Sequence, residues 1–352
     1  MTDWNQVEAT VSIGGSECKF TTIYLKQVFN GHHVFDIGVL CPPLPGENIW
    51  YNERESMIAM QGQSVVIRMK HVISGDESIF KGIITEIGMD GERGVSGTIH
   101  YRGCSPTILL ESGKTMDSFM DYTLSAIVGE VVKNYGNGVE IVNKPLFNEQ
   151  IPYAQMHEET GYEFLRRIAY QYGEWFYYDG QKLHFGNPQK DKDETVTYDV
   201  DLDKVSFGSR VTPFHYSRHD YMAEDDRPLY ADDSASVNGI NTYLANAIST
   251  SESVYQSPTT LYNKAVVGHP VHMNRLLEFE KGRDTASLVW LKGKSKTCRV
   301  RIGEPIAVKI PASMCDRRDL GKYRVMSVIH EVDKNGVYSN LSLIHISEPT
   351  RH

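Results

Sequence analysis

Residues 155–187 read QMHEETGYEFLRRIAYQYGEWFYYDGQKLHFGN and carry the clearest structural signal in the chain. Thr160 and Glu163 have the spacing of a capping box, in which the two side chains satisfy the first free amides of a helix. Gly173 predicts the end of that helix, because glycine adopts a left-handed backbone at little cost. Five apolar residues between them recur on one helical face: Phe164, Leu165, Ile168, Ala169 and Tyr172.

The second half of the same stretch predicts a β-hairpin. Residues 174–178 are rich in aromatic side chains, and residues 181–185 would form the returning strand. Asp179-Gly180 suits a two-residue turn, since this pair supplies positive backbone angles. Each buried aromatic or leucine contributes roughly 1.5–3 kcal/mol, so helix and hairpin should form a compact packing unit. No residue pattern in this unit resembles a catalytic motif, and we expect the unit to be structural.

The length and net charge of the chain limit the classes of protein to which it can belong. The chain has 352 residues, 40% hydrophobic and 23% charged, which suits two or three soluble domains. The net charge of −9 disfavours a general nucleic-acid binder, which would present a basic face. The five cysteines are scattered without a C-x-x-C pair, so we expect reduced thiols that are mostly buried. They are Cys18, Cys41, Cys104, Cys298 and Cys315.

No targeting signal is recognised. The N-terminus, MTDWNQVEA, lacks the basic start and apolar run of a signal peptide. No apolar stretch approaches the ~20 residues of a membrane-spanning helix. The sequence therefore predicts synthesis in the cytoplasm, with any export by another route.

Residues 1–104 read as antiparallel strands. Strands at 19–29 and 32–40 flank Asn30-Gly31, a strong hairpin signal, and the turn-rich CPPLPGEN follows at 41–48. Three more strands are predicted at 63–71, 78–87 and 94–101, the last two joined by Met89-Asp90-Gly91. Several short strands with tight turns indicate a small closed or nearly closed barrel.

Residues 105–190 read as an inserted α+β segment. Thr123 can cap a helix that Gly136 closes, and a connector between Pro145 and Pro152 leads to the helix and hairpin described above. The helix is indicated by apolar residues at helical spacing: Leu124, Ile127, Val128, Val131 and Tyr135.

Residues 191–340 predict a second β-rich domain with long loops. Strands are expected at 297–302, 304–310, 323–331 and 337–341, with Asn335-Gly336 turning the last pair. Residues 224–260 read as a long loop with short strands, and 273–290 as either a helix or a long strand. The fold class is therefore β-rich α+β, with two small barrel-like domains and an α+β segment inserted between them.

The order of these pieces resembles a known family. IFKGIITEI at 79–87 is followed by GTIHYRGCSPTILLESG at 97–113, TLSAIVGEVVKNYG at 123–136, HEETGYEFLRRIAYQYGEWFYYDG at 157–180 and YRVMSVIHEVDKNGVYSN at 323–340. This order resembles the N-terminal hub portion of the VgrG proteins of type VI secretion, which is similar to the hub, or late control D, proteins of contractile phage tails. The positions that match the family pattern are Phe80, Gly82, Pro106, Leu109, Leu110, Glu159, Phe164, Leu165, Arg167, Gly173, Phe176 and Tyr177.

The resemblance implies a structural tip protein rather than an enzyme. It implies a homotrimer whose two barrels per subunit make a pseudo-sixfold ring on a hexameric Hcp-like tube. Baseplate proteins and a spike with effector cargo would be further partners, without nucleic acid or a membrane span. A bacterial cytoplasmic protein exported with the injection apparatus is expected; a phage or prophage tail hub, in a virion, is the alternative.

The C-terminal residues 341–352 are set apart from the fold. LSLIHISEPTR at 341–351 resembles the translation of a transposase-type sequencing adapter. Members of the resembled family usually continue into an OB-like domain and a β-helical spike. We therefore expect the chain to be an N-terminal fragment that has lost both.

One acidic motif has the spacing of a calcium-binding loop. Asp199, Asp201 and Asp203 have the D-x-D-x-D spacing that begins a calcium loop. Such a loop needs glycine at its sixth position and glutamate at its twelfth, where this chain has Lys204 and Arg210. A solvated acidic loop is favoured.

Histidine pairs and adjacent acids offer no clear site either. His215 with His219, and His269 with His272, could bind a metal if these segments are helical, but no acidic partner has a metalloprotease spacing. We favour surface or packing histidines. The adjacent acids do not identify a hydrolytic pair: Glu158-Glu159, which we place in the first turn of a helix, and Asp225-Asp226.

We therefore assign no catalytic, cofactor-binding or metal-binding residue from the sequence. A cell-wall hydrolase or protease would need a concave site with converging acids or a nucleophile pair. A carbohydrate-binding β-protein would need an exposed aromatic platform, which the 20 tyrosines could supply.

Overall fold

A computed structural model describes residues 5–41, 57–90, 97–186, 194–213, 216–222, 226–231, 242–257, 259–267, 269–314 and 319–346. Strands dominate these residues, as the sequence predicts. The first seven strands are β1 Val7–Ile13, β2 Ser16–Cys18, β3 Thr22–Val28, β4 Val34–Cys41, β5 Ser64–His71, β6 Glu77–Asp90 and β7 Gly97–Cys104.

Helices and short strands follow in the middle of the chain. They begin with a 3-10 helix at Pro106–Glu111 and include a second at Gly136–Gly138. The other elements are β8 Thr115–Thr123, α1 Leu124–Lys133, β9 Ile141–Lys144, β10 Gln150–Glu159, α2 Gly161–Gln171, β11 Phe176–Tyr178 and β12 Leu183–Gly186.

The last part of the chain is again rich in strands and also contains two helices. Its elements are β13 Glu194–Thr197, β14 Leu202–Ser209, β15 Tyr216–Met222, β16 Arg227–Ala231, α3 Thr242–Val254, β17 Thr259–Tyr262, α4 Pro270–Ala286, β18 Val289–Ser295, β19 Pro305–Lys309, β20 Asp319–Asp333 and β21 Tyr338–Ile346.

One large sheet joins the two β-rich portions. Its order is β14-β18-β21-β20-β3-β4-β7-β6-β5-β1-β2, with β19 on β20 and β13 on β19. The expectation of two barrel-like domains was wrong in this respect: among the described residues the sheet is not closed into a barrel. The edge strand β3 of the first portion pairs with β20 of the last, so the two portions share one continuous sheet at this edge.

Alternating burial explains the strands of this sheet. Along β5 the side chains of Val65, Ile67, Met69 and His71 point into the core, while the residues between them are exposed or half-buried. This two-residue period is the pattern expected of a strand with one buried face.

A buried polar chain crosses the junction between the two portions. Gln27 on β3 contacts His33 Nδ1 through Nε2 (3.2 Å) and His330 Nε2 on β20 through Oε1 (3.1 Å). His330 Nδ1 lies 2.7 Å from the Tyr338 hydroxyl, which accepts a hydrogen bond from Asn340 (2.9 Å). All five side chains are buried. These hydrogen bonds fit neutral imidazole rings at His33 and His330. Burial lowers the pKa of each of these histidines to about 3.

Two turns differ from their sequence interpretation. In the β3–β4 hairpin Lys26 pairs with Val34, so Asn30-Gly31 lies within a longer loop and is not a two-residue turn. In the β11–β12 hairpin the Asp179 amide bonds the Lys182 carbonyl (3.0 Å), which places Gly180 first in the turn. Gly180 has φ +109° there, as a turn with glycine at its first central position requires.

Three regions of the last portion also differ. Residues 297–302, predicted as a strand, form turns and irregular backbone between β18 and β19. The described part of 224–260 contains the helix α3 between β16 and β17, which the loop prediction missed. The ambiguous 273–290 is helical through α4 and then becomes strand β18.

Several predictions lie outside the described residues. These are the CPPLPGEN segment from residue 42, Gly91 of the Met89-Asp90-Gly91 turn, the first part of the acidic run after residue 187, and residues 347–352. Met89 and Asp90 themselves belong to β6. Residues 341–346, set apart from the fold in the sequence, form the second half of β21 and pair with β18 and β20.

Candidate functional site

The capping box at the start of α2 is confirmed. The Thr160 hydroxyl accepts from the Glu163 amide (3.1 Å), and the Glu163 carboxylate accepts from the Thr160 amide (3.0 Å). This bond to the Thr160 amide lowers the pKa of the Glu163 carboxyl. The apolar face of α2 is buried as the periodicity predicts, so the helix is fixed by both its cap and its packing.

The helix α2 is tied to the preceding strand by an ion pair. Arg167 donates to both oxygens of Glu159, each at 2.6 Å, and its Nη2 also donates to the Gln155 carbonyl (2.6 Å). The guanidinium lies 5.2 Å from the centre of the Phe164 ring. Glu158 and Glu159 end β10 before the helix cap, so their assignment to the first helical turn was wrong. A bidentate pair of this kind fixes geometry more strongly than a lysine could.

The hairpin β11–β12 packs against the first part of the sheet. The Lys81 amide on β6 donates to the Gly180 carbonyl (2.7 Å), and the Tyr178 hydroxyl donates to the Lys81 carbonyl (3.3 Å). The buried Phe80 ring lies 6.4 Å from the Tyr178 ring. Gly82 leaves room for aromatic packing, because a Cβ there would lie 2.6 Å from a ring carbon of Phe35.

The turn of this hairpin is held by Asp179. Burial acts to raise the pKa of Asp179, but hydrogen bonds from His184 and from the amides of Lys182 and Gln181 hold it below its usual value. The contact with His184 Nε2 is 2.6 Å. These bonds fix the hairpin turn that faces β6.

The hairpin also reaches the last portion of the chain. Tyr177 stacks on Phe29 with ring centres 4.8 Å apart, and both belong to a small cluster with Trp175 and Ile302. Gly173, with φ +68°, allows the chain to turn into the hairpin beneath α4, where a Cβ would lie 2.6 Å from the Phe279 ring. The helix and hairpin therefore contact both β-rich portions.

The remaining family-pattern positions lie on the 3-10 helix and on α2. Pro106 is at the start of the 3-10 helix, which packs against α2. Leu109 fills the space over Gly138, where an added Cβ would lie 2.4 Å from it. Leu110 and Leu165 are fully buried.

A cleft of about 740 Å³ opens beside this unit. Arg283 lies 3.8 Å from the centre of the Tyr170 ring, and Arg324 lies 4.5 Å from that of Trp175, so two of its cations are held over aromatic rings. Its lining includes family-pattern positions and residues from α2, α4 and β20: Glu159, Arg166, Arg167, Tyr170, Gly173, Trp175, Phe176, Phe279, Arg283, Arg324 and Met326.

The two-stranded ribbon β8–β10 exposes an apolar face that the sequence analysis did not identify. Met116 (66% exposed), Met120 (67%), Tyr122 (41%) and Tyr153 (42%) all point outward. Tyr153 pairs with Met120 in the ladder. The opposite face is buried on α2, where Phe119 stacks with its ring centre 5.8 Å from that of Phe164. The alternation of methionine and tyrosine along 116–122 was the available signal.

In the D-x-D-x-D motif, Asp201 and Asp203 form ion pairs with basic side chains and do not converge on a common metal position. Asp201 accepts from the Thr197 amide (2.9 Å) and from Arg299 Nη2 (3.0 Å), and Asp203 pairs with Lys296 (2.7 Å). Asp199 has φ +67° in the adjoining turn. No cluster of three or more potential metal ligands occurs in the part of the chain that the structure describes.

The histidine pairs have packing or capping contacts. His269 caps α4, its Nδ1 accepting from the Val271 amide (3.2 Å). His272, one turn on, has its ring edge-on to Phe147 at 5.6 Å. His219 lies on β15 with its ring 4.0 Å from that of Tyr262, whereas its predicted companion, residue 215, lies outside the described residues.

Cysteines and the second acidic pair show no catalytic arrangement. Cys18, Cys104 and Cys298 are free thiols, Cys41 is buried, and burial raises the pKa of Cys298 to about 11. Residues 225 and 315 lie outside the described ranges. Asp226 accepts a hydrogen bond from the Tyr221 hydroxyl. In the described part of the chain, no helix is both long and apolar enough to cross a membrane.

Comparison with solved structures gives the same fold. A tail protein from Neisseria meningitidis MC58 matches with a TM-score of 0.65 at 11% identity, covering 98% of each chain. The 43 kDa tail protein of prophage MuSo2 from Shewanella oneidensis matches with a TM-score of 0.65 at 16% identity, covering 97% of this chain and 98% of that one.

A third match comes from a secretion machine. The E. coli c3393 protein, described as a type VI secretion component similar to the phage T4 tail proteins gp27 and gp5, has a TM-score of 0.60 at 12% identity. The match covers 97% of this chain and 78% of that one. A search of curated proteins by sequence gives no match.

The family model described as phage tail baseplate hub (GPD) matches residues 53–335. These residues include the helix–hairpin unit and most of the residues that line the cleft beside it, whereas β3 of the junction lies before them. The chain therefore belongs to the phage tail baseplate hub family.

Proposed function

We propose that this chain is one subunit of a threefold hub ring that joins a spike to the end of a tail tube. Two further copies, a hexameric Hcp-like tube protein, baseplate proteins and a distal spike with its cargo would be the partners. The work is geometric, because a subunit with two β-rich portions can present six similar surfaces from three chains. The chain would be made in the cytoplasm and leave the cell with the injection apparatus, without catalysing a reaction.

The exposed face of the β8–β10 ribbon is the observation that supports an assembly role most directly. Exposed apolar side chains grouped on one face mark interaction surfaces in soluble proteins. A threefold ring needs a heterologous contact, in which this face meets a different surface of the next subunit. The cleft beside α2, with arginines held over aromatic rings, is a concave surface of the kind that could receive it.

The mass of the particle in solution tests this proposal. Light scattering after gel filtration at micromolar concentration should give three times the 39.8 kDa chain mass. The double substitution Met116→Lys with Met120→Lys should yield monomers, because it places two charges on the exposed ribbon face. Met314→Lys, at a methionine that is 53% exposed elsewhere, is the matched control and should leave the mass unchanged. A stable monomer of the unsubstituted chain would refute the ring.

Two members of the same functional class fit the fold: a secretion-system tip and a phage or prophage tail hub. We propose the secretion tip, because the order of the sequence motifs resembles the VgrG hub. The genes beside this one would distinguish the two. Capsid and tail-fibre genes in the same operon would favour the phage origin and contradict the secretion assignment.

A further inference from the structure

A second exposed surface lies on the three-stranded sheet β16-β15-β17. His219 pairs with Tyr230 of β16 on one side and with Tyr262 of β17 on the other, so these residues form a row across the sheet. Tyr221, two residues along β15, points to the same face. The tyrosines are well exposed: Tyr221 56%, Tyr230 71% and Tyr262 69%. We call this surface the tyrosine platform.

The dimensions of the platform are set by strand spacing. Neighbouring strands lie about 4.8 Å apart, so the outer tyrosines of the row stand roughly 10 Å from each other. The middle of the row is filled by His219, whose ring centre is 4.0 Å from that of Tyr262. A row of this length can contact a disaccharide.

The platform is supported from behind by an ion pair between the buried Arg218 and the half-buried Glu280. Arg218, 4% exposed, donates through Nε to Glu280 of α4 (3.0 Å) and through Nη1 to the Tyr262 carbonyl (2.9 Å). Leu229 and Ala231 of β16 are buried on the same side. The backbone under the platform is therefore held in place before any ligand binds, which reduces the cost of ordering it.

Hydroxyl groups and a carboxylate surround the rings. The Tyr221 hydroxyl donates to Asp226, and the Ser217 hydroxyl donates to that of Thr260 (3.2 Å) on the same face. No methionine, leucine, isoleucine or valine belongs to this face among the described residues of the three strands. The chemistry thus differs from that of the β8–β10 ribbon, whose exposed face carries the two methionines Met116 and Met120.

These features favour a saccharide as the ligand. Aromatic faces carry negative charge that attracts the polarised C–H groups of a pyranose face. Tyrosine hydroxyls, serine, threonine and aspartate can bond sugar hydroxyls at the rim. A single-stranded nucleic acid would also stack, but it needs a cationic groove, and the charged group bonded at this rim is a carboxylate.

We infer that the tyrosine platform binds a β-1,4-linked oligosaccharide of at least two rings. A β-1,4 chain is extended and flat, so successive rings can lie along one row of aromatic side chains. An α-1,4 chain curves and would contact only one ring at a time. The inference does not depend on the hub ring, since the platform and the ribbon are separate surfaces.

Calorimetric titration with chitotetraose, cellotetraose and maltotetraose tests the inference on the full chain. We expect saturable binding of at least one of the two β-1,4 tetrasaccharides, at least tenfold tighter than that of maltotetraose. Tyr230→Ala and Tyr262→Ala should each weaken it at least tenfold. Tyr255→Ala, at an exposed tyrosine outside the three strands of the platform, is the matched control and should bind as the original chain does.

Two results would overturn the inference. One is the lack of saturable binding of both β-1,4 tetrasaccharides at millimolar concentration by a chain whose circular dichroism is that of the folded protein. The other is a change of particle mass in Tyr230→Ala or Tyr262→Ala without any loss of sugar binding. That second result would identify the platform as a contact between protein chains.

Discussion

Acid should weaken this fold through the two histidines buried at the junction of the β-rich portions. Burial holds the pKa of His33 and of His330 at about 3, against an ordinary value near 6.5. The unfolded chain therefore binds more protons than the folded chain between these values. The stabilisation is complete above about pH 6.5 and is lost progressively as the pH falls toward 3.

The size of the effect follows from the two pKa values. Between pH 7.5 and pH 5 each buried histidine should reduce the free energy of unfolding by about 2 kcal/mol, so the pair accounts for about 4 kcal/mol. That is a large part of the stability of an ordinary domain, which is roughly 5–15 kcal/mol. The junction between β3 and β20 should thus be a weak point in acid.

Urea unfolding followed by tryptophan fluorescence at the two pH values measures this loss. In His330→Gln the loss on acidification should be about 2 kcal/mol smaller than in the original chain, because one buried titrating group is gone. The substitution also removes the hydrogen bond to Tyr338, which destabilises the variant at both pH values. This cost cancels when the loss of free energy between pH 7.5 and pH 5 is compared between the variant and the original chain. Glutamine can still donate to Gln27, which is the reason for choosing it.

The control is His157→Gln, at an exposed histidine on β10. The comparison is made in the Met116→Lys, Met120→Lys background, which we expect to be monomeric, because His157 pairs with Met116 on the ribbon face. In that background no neighbouring subunit covers the His157 side chain, so the loss on acidification should remain that of the background chain. If His330→Gln and His157→Gln lose the same free energy between pH 7.5 and pH 5, the assignment of acid sensitivity to the buried junction is wrong.

Substitutions at Gly173, Arg167 and Thr160 test the helix–hairpin unit by thermal and urea unfolding, with Gly129→Ala and Thr160→Ser as controls. Gly173→Ala should cost about 1–3 kcal/mol, because its φ is +68° and an aromatic ring occupies the space for a Cβ. Gly129→Ala, with open space on α1, should instead stabilise by about 0.5–1 kcal/mol, and equal effects at the two glycines would contradict the packing argument. Arg167→Lys should cost about 1–2 kcal/mol, since lysine cannot make the bidentate contact with Glu159; an unchanged midpoint would show that the pair contributes little. Thr160→Ala should cost about 1 kcal/mol through the lost cap, whereas Thr160→Ser should retain most of it.

The junction also bears on how the hub would transmit force. Gln27 and His33 come from the first β-rich portion, and His330, Tyr338 and Asn340 from the last. A buried polar chain fixes relative position more specifically than apolar contacts, because each misplaced partner leaves an unsatisfied group. We therefore expect the two portions to move as one body when a tail contracts.

The helix–hairpin unit could be predicted from the sequence because interactions between neighbouring residues determine it. The capping box spans four residues, and the apolar face of α2 follows from spacing alone. The Thr123 cap and apolar face of α1 were readable for the same reason. Short-range rules failed at Asn30-Gly31, where the β3–β4 register places the pair inside a longer loop. They also failed at 297–302, where β-branched residues are buried in irregular backbone.

The larger arrangement was decided by contacts between residues far apart in the chain. In the pairing of β3 with β20, Val28 lies opposite Ser327. No local sequence pattern specifies which distant strand will pair with the edge of a sheet. The exposed ribbon and the tyrosine platform arise in the same way, since alternation shows that a strand has two faces but not which face the protein covers. The sequence by itself therefore determined most of the elements, their order and the family, because these depend on neighbouring residues. Only the tertiary structure decided the single open sheet, the buried histidine junction and the two exposed surfaces, because burial and strand pairing are properties of the whole chain.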